Sequence, residues 1–348
     1  MKKRLAVLIR VAAIVAVGLG LWWFFRKLDF DKLGEALSTA MIWPLVLAAI
    51  LNFVCLLGKS VCWHIMLAPR FKVSQLRLFR YTIATFAASA LAPARAGEVL
   101  RIWTLKRREG VPAADTAAVA IAEKLLDGIT LLLLVAPVPW LIPDLPTWVS
   151  GSILLCAGIA LGVFIGLYIA VGRVGPDSNT NRSWLRRFIA GMHVLRSPRR
   201  LLASLVVLTL VWCADLGEIE LVLHAVGMHL SIWSCLLILF TLNLAITLPS
   251  TPAQVGALEV GALAALEVLH VPTEQAVAFA LLYHALQVIP LIAVGLALEW
   301  RLVLGRDMRG EDRSVADALA GEAPDKIKND NASASPVIEM PSARSVQR

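Results

Sequence analysis

The sequence is poor in charge and lacks most of the devices that soluble chemistry relies on. Asp, Glu, Lys and Arg make up only 17% of its 348 residues, and its mean hydropathy is +0.74. A soluble domain of this size carries more charge and fewer long apolar runs, so a soluble enzyme or binding module is excluded. Its five cysteines, Cys55, Cys62, Cys156, Cys213 and Cys235, all stand inside apolar runs and none has CxxC spacing. They read as small buried hydrophobes, not as metal ligands or disulfide partners. His64, His193, His224, His229 and His270 are scattered without metal-ligand spacing. No cofactor is expected. No ATP-binding loop is present, so any transport must be passive, ion-coupled or driven by a partner. The apolar run that ends at Phe25 is interrupted by Arg10 and is followed by no small-x-small cleavage site, which favours a retained span over a removed signal. The net charge of +8 lies mostly in short loops, where it sets topology and does not point to nucleic acid.

What is present is a series of apolar runs that approach or exceed the roughly 20 residues needed to cross a bilayer core. They must be helical, because lipid offers no partner to an open strand edge. The expected fold class is therefore an all-α polytopic membrane protein. Spans are expected at about 8–25, 42–67, 114–139, 149–172, 201–224 and 275–300. Lys2, Lys3, Arg4 and Arg10 place the N-terminus in the cytoplasm, and Arg301, Arg306 and Arg309 do the same for the C-terminal end. The tail 306–348 is polar and charge-mixed, which predicts a disordered cytoplasmic segment. It is too short for an appended catalytic domain. The stretch NRSWLRRFIAGMHVLRSPRR puts Trp184, Leu185, Phe188, Ile189 and Met192 on one side among arginines, which fits either an interfacial helix on anionic lipid or a cytoplasmic linker held by the positive-inside rule.

Two apolar stretches break themselves. The run 81–105 contains LAPARAGEVLR and has basic residues at both flanks. The run 232–270 contains LPSTPAQVGALE and has basic residues at neither. Each fits a re-entrant hairpin whose tip is made by proline and glycine, the two entering from opposite faces; the alternative is an ordinary span with a proline kink. They also match one another. Pro93-Ala94-Arg95-Ala96-Gly97 aligns with Pro252-Ala253-Gln254-Val255-Gly256 at an offset of 159, and Val111-Pro112 with Val271-Pro272 at 160. Ala118 and Ala120 then fall on Ala278 and Ala280, and Asp127 on Gln287. The expected architecture is an inverted repeat of two halves, about 1–140 and 141–305, each with about three full spans and a broken hairpin.

Ionisable groups inside these runs are costly, about 2.5–3.5 kcal/mol each on insertion scales, and persist when they pair or line a wet cavity. Arg95, Glu98 and Arg101 come with the first hairpin, and their spacing of three predicts one shared helical face. Glu123 and Asp127 are four apart on the next span, with Lys124 beside them. Lys59 lies late in the second span, and Asp215, Glu218 and Glu220 lie in 201–224. The second hairpin adds Gln254 and Glu259, and the last span adds His284 and Gln287. Either the acids only neutralise Arg95, Arg101 and Lys124 and fix packing, or these groups line a polar chamber at the hairpin tips. In the second case Arg95 and Arg101 are the first candidates to hold an anionic head group, since a guanidinium forks onto phosphate. Glu123 and Asp127 would then hold the arginines, meet a cationic head group or carry protons. The candidate substrate site is Arg95, Glu98, Arg101, Glu123, Asp127, Gln254, Glu259 and Gln287.

The proline–glycine–Glu98–Arg101 stretch, the Val-Pro step leading to Glu123 and Asp127, and PSTPAQVGALE before the last span resemble the flippase-like transmembrane domain of lysylphosphatidylglycerol synthases and its stand-alone relatives. The resemblance covers most of residues 1–305. It implies a membrane protein that moves lipid across the cytoplasmic membrane. The lipid would be an anionic or aminoacylated phospholipid, a hopanoid or a glycolipid, and a lipid-modifying enzyme is a possible partner. The synthase half of that family is not expected here. Two rival readings stand beside it. One is a membrane glycosyltransferase using Asp29-Phe30-Asp31 as metal-binding acids; the other is a non-transporting partner of a lipid-modifying enzyme.

Overall fold

A computed structural model describes residues 30–68, 70–91, 96–142, 145–173, 192, 197–247 and 252–304. The expected span 8–25, Arg95, nearly all of the arginine-rich loop and the tail fall outside these residues, as does Asp29. Among the described residues every regular element is helical. The helices are α1 (Phe30–Ser38), α2 (Ile42–Leu67), α3 (Gln75–Leu91), α4 (Ala96–Glu109), α5 (Ala113–Val135) and the short α6 (Val138–Leu141). They continue with α7 (Thr147–Arg173), α8 (Pro198–Ala225), α9 (Ile232–Thr247), α10 (Ala257–Val268) and α11 (Thr273–Val303). Four of these, α2, α7, α8 and α11, are long and apolar enough to cross a membrane.

The exposed faces are apolar, as lipid requires. On α2, Trp43, Val46, Leu47, Ile50, Val54 and Leu57 recur at helical spacing and are exposed, while Asn52, Ser60, Cys62 and Trp63 are buried. On α5 the buried stripe Thr116, Glu123, Asp127 and Thr130 is polar and points inward. Polarity turned toward the protein interior is the arrangement expected when the solvent is hydrocarbon. Of the cysteines, Cys62 and Cys235 are buried as expected, but Cys213 is exposed on the outer face of α8. A thiol is apolar enough to sit at that surface.

The two broken stretches are helical hairpins. In the first, α3 and α4 run antiparallel: the Gly97 amide donates to Ser89 Oγ at 3.0 Å, Arg101 Nη2 donates to Thr82 Oγ1 at 2.8 Å, and Tyr81 Oη donates to Glu109 at 2.9 Å. Close approach requires glycine. A Cβ on Gly97 would collide with the Thr85 carbonyl, and one on Gly261 of α10 would lie 2.8 Å from the Thr241 carbonyl of α9. Small residues let helix backbones meet in this way in membranes.

The hairpins sit at opposite ends of α11. Arg80 of α3 and Arg108 of α4 bind the Glu299 carboxylate at 2.8 and 3.1 Å, near the C-terminal end of α11. Further along, Gly295 packs against Ala87 of α3. The base of the second hairpin, by contrast, joins the N-terminal end of α11 through residues 269–272. The tips of both hairpins therefore reach the middle of α11 from either side.

The two Val-Pro steps are built alike, although the closing bond spans six residues in the first and five in the second. Helix α4 ends at Gly110 with φ 68°, and α10 is followed by His270 with φ 56°. Val111 N–H then bonds back to the Leu105 carbonyl, and Val271 N–H to that of Leu266. Pro112 (φ −58°, ψ 139°) and Pro272 (φ −53°, ψ 138°) begin the next helix. A left-handed residue closes each helix and proline opens the next, which is why a Val-Pro pair recurs at this spacing.

Candidate functional site

Where the hairpin tips meet there is a cavity of about 200 Å³. Phe86, Ser89 and Ala90 of α3 form one wall. Leu242, Asn243 and Ile246 of α9, with Ala253, Gln254 and Leu258, form another. Asp215 of α8 and Tyr283, Gln287 and Leu291 of α11 complete it. Mixed apolar walls with a few convergent polar groups are the usual make-up of a ligand site. The polar groups are interlinked: Tyr283 Oη donates to Asp215 Oδ1 at 3.0 Å, Gln287 Nε2 donates to Tyr283 Oη at 3.1 Å, and Asn52 Nδ2 donates to Gln287 Oε1 at 2.7 Å. Glu218, fully buried, lies beside Asn52.

A second polar cluster lies apart from the cavity lining. Lys59 Nζ of α2 is 2.9 and 3.1 Å from the two carboxylate oxygens of Asp127 and 3.8 Å from Glu123. Trp212 Nε1 donates to the Asp127 carbonyl and to Thr130 Oγ1, both at 3.0 Å. Arg101 is 6% exposed, and its guanidinium stacks on the Trp63 ring at 3.6 Å. Glu123 lies near enough to attract its charge. Two cations and two acids thus neutralise one another inside the bundle.

Of the expected site residues, the cavity gathers Gln254 and Gln287. Glu259 lies just behind its wall, 2.5 Å from His284 Nδ1. Glu123 and Asp127 belong to the Lys59 cluster. Glu98 and Arg101 do not share a face as expected: Glu98 is exposed and Arg101 buried. Three residues advance a helix by about 300°, and the remaining 60° or so is enough to turn one side chain out and the other in. Arg101 does not line this cavity; its guanidinium lies on the Trp63 ring. The ion pairs stay within the expected set of charges, with Lys59 added to it. Lys124 pairs with Glu98 at 3.8 Å, and Lys59 is the cation that meets Asp127. Asp215, Tyr283, Asn243 and Ser89 were not among the expected site residues. An acid in an otherwise apolar span was the available signal for Asp215. Asp31 is exposed on α1. Among the described residues no three His, Cys, Asp or Glu side chains converge as metal ligands.

The family profile described as the lysylphosphatidylglycerol synthase TM region matches residues 7–295. The chain belongs to that family. It is an integral membrane protein of the lysylphosphatidylglycerol synthase TM family, and the match takes in both hairpins, the cavity between them and the Lys59 cluster. No curated protein matches the chain.

Proposed function

We propose that this member of the family is a lipid translocase, not an enzyme, and that the head group of its lipid passes between the hairpin tips. The observation that carries this reading is the cavity itself. It lies midway along α11, where two interrupted helical pairs meet, and it offers Asp215, Gln254 and Gln287 to a polar ligand in a bundle otherwise coated for lipid. Broken helices meeting at a midplane site are the design of many secondary transporters. The matched Val-Pro steps and the opposed hairpins support an inverted repeat as the scaffold.

Asp215 is the acid that lines the cavity, so a head group with an ammonium or hydroxyl part fits it best. Arg77, Arg80, Lys106, Arg107, Arg108 and Arg301 gather at one end of the bundle, which is the cytoplasmic end by the positive-inside rule. Both termini then lie in the cytoplasm, and the host is the cytoplasmic membrane.

The test is reconstitution in liposomes with a panel of labelled anionic, aminoacylated, hopanoid and glycolipid species. At least one should cross faster than in empty liposomes, and D215N should change which. If none crosses faster, the reading fails.

A further inference from the structure

His284 stands between two acceptors. Its Nδ1 lies 2.5 Å from Glu259 Oε1, and its Nε2 lies 2.9 Å from the carbonyl oxygen of Ala253. A neutral imidazole has a single N–H and can serve only one acceptor. The Ala253 carbonyl has no hydrogen to give. Both contacts therefore close only if the pair holds an added proton, either on the ring as imidazolium or on Glu259, donating to Nδ1. In each case the pair carries one proton more than a carboxylate and a neutral ring.

This pair grips the tip of the second hairpin at two points. The ring holds the Ala253 carbonyl, and Glu259 Oε2 accepts the Gly256 amide at 2.7 Å. The turn between them is unfavourable by itself: Ala253, Gln254 and Gly256 have φ of 55°, 62° and 87°. For the first two, Cβ crowds the backbone in that left-handed region. Ala253 and Gln254 are also cavity wall. A contact that keeps them in place shapes the site.

The titratable groups that face the pair among the described residues are few. From α10 the facing acid is Glu259 itself. From α8, Asp215 is bound to Tyr283, the neighbour of His284, with Lys59 and Asp127 beyond it, and the buried Glu218 lies beside Asn52. From α2, the neutral Asn52 meets Gln287. Along α3, Arg77 and Arg80 are engaged by Glu109 and Glu299 toward the far end of α11. On α1, Asp31 and Glu35 are exposed.

The first hairpin has an acid and a cation at corresponding positions, but exposed and less closely paired. Glu98 is the third residue of α4 and Glu259 the third of α10, while Lys124 and His284 are 160 positions apart. Glu98 pairs with Lys124 at 3.8 Å. A lysine stays charged through the physiological range; a histidine exchanges its proton there. Among the described residues, it is the second tip that carries a group of this kind.

We infer that the Glu259–His284 pair is a proton-binding site that makes the proton the coupling ion of this protein. With the proton bound, both ring contacts are made and the turn 252–256 stays folded against α11. When it leaves, one ring nitrogen faces an acceptor lone pair to lone pair, the grip opens, and the cavity wall at Gln254 is released. The link to lipid movement rests on the function proposed above; the latch does not.

The latch is tested without lipid transport. A spin label is attached to Gln254→Cys in nanodiscs, in a background lacking the five native cysteines. Its spectrum should be immobilised at about pH 5 and several-fold more mobile at about pH 9. In H284Q and E259Q it should be mobile throughout. A spectrum that is the same at both pH values, or an equal pH response in the two variants, overturns the inference. On the unsubstituted chain, nitrogen NMR of labelled histidine supplies a check free of cysteine replacement. The His284 ring, assigned by its loss in H284Q, should change protonation over that range, and an unchanging signal overturns the inference. Liposomes then separate the two claims. A pH-responsive tip with no lipid movement keeps the latch and defeats the translocase. Lipid movement that ignores an imposed pH gradient, with a static tip, keeps the translocase and defeats the latch.

Discussion

Lys59 and Asp127 face each other across α2 and α5, with Nζ 2.9 Å from one carboxylate oxygen and 3.1 Å from the other. Both side chains are largely buried, at 15% and 11% exposure. Removing one partner of such a pair leaves an uncompensated charge in the bundle. K59M is expected to cost about 3–5 kcal/mol, the usual cost of stranding a buried charge. Adding D127L should recover part of this but not all, because Glu123 also depends on Lys59 at 3.8 Å. Thermal unfolding in detergent of the single and double variants measures both effects.

Arg101 and Asp215 should separate in their effects. Arg101 is stacked on Trp63 and bonded to Thr82, away from the cavity lining. R101K keeps the charge and loses the planar stack, which is worth about 2 kcal/mol when desolvated. It should lower stability and slow every transported lipid alike. D215N leaves the fold closer to intact and should change the ranking of head groups in the same assay. A change in ranking caused by R101K would place Arg101 in contact with the head group.

The first hairpin should tolerate no side chain at Gly97. Its added Cβ would strike the Thr85 carbonyl, which belongs to helix backbone and yields little. G97A is expected to cost about 1–3 kcal/mol, as overpacking generally does. G261A, with contacts of 2.8 and 2.9 Å to the Thr241 carbonyl and Ala245 Cβ, should cost somewhat less. The fraction of monodisperse protein on size exclusion and the midpoint of thermal unfolding report this order.

The hairpins were legible in the sequence because their breakers are local. Pro93 and Gly97, and Pro252 and Gly256, interrupt apolar runs that are otherwise long enough to continue. The Val-Pro match at 160 residues was legible for the same reason, since it encodes a helix end and the next helix start. Which charge meets which was not. Lys59 and Asp127 are 68 residues apart, and their contact follows from how α2 packs on α5. Glu98 and Arg101 misled because a spacing of three marks neighbours along a helix, not a common depth of burial. Asp215 was visible as a membrane acid, but nothing in its own span told that Tyr283 and Gln254 would close a cavity around it.

The proposed path of the lipid head group runs between the hairpin tips. Ser89 of the first tip and Gln254 of the second line one cavity. A short cleavable thiol crosslinker between S89C and Q254C in the reconstituted protein tests this most directly. The crosslink is expected to form and to stop transbilayer lipid movement, and its cleavage to restore the rate. Lipid movement that continues undiminished with the two positions quantitatively joined would contradict that path.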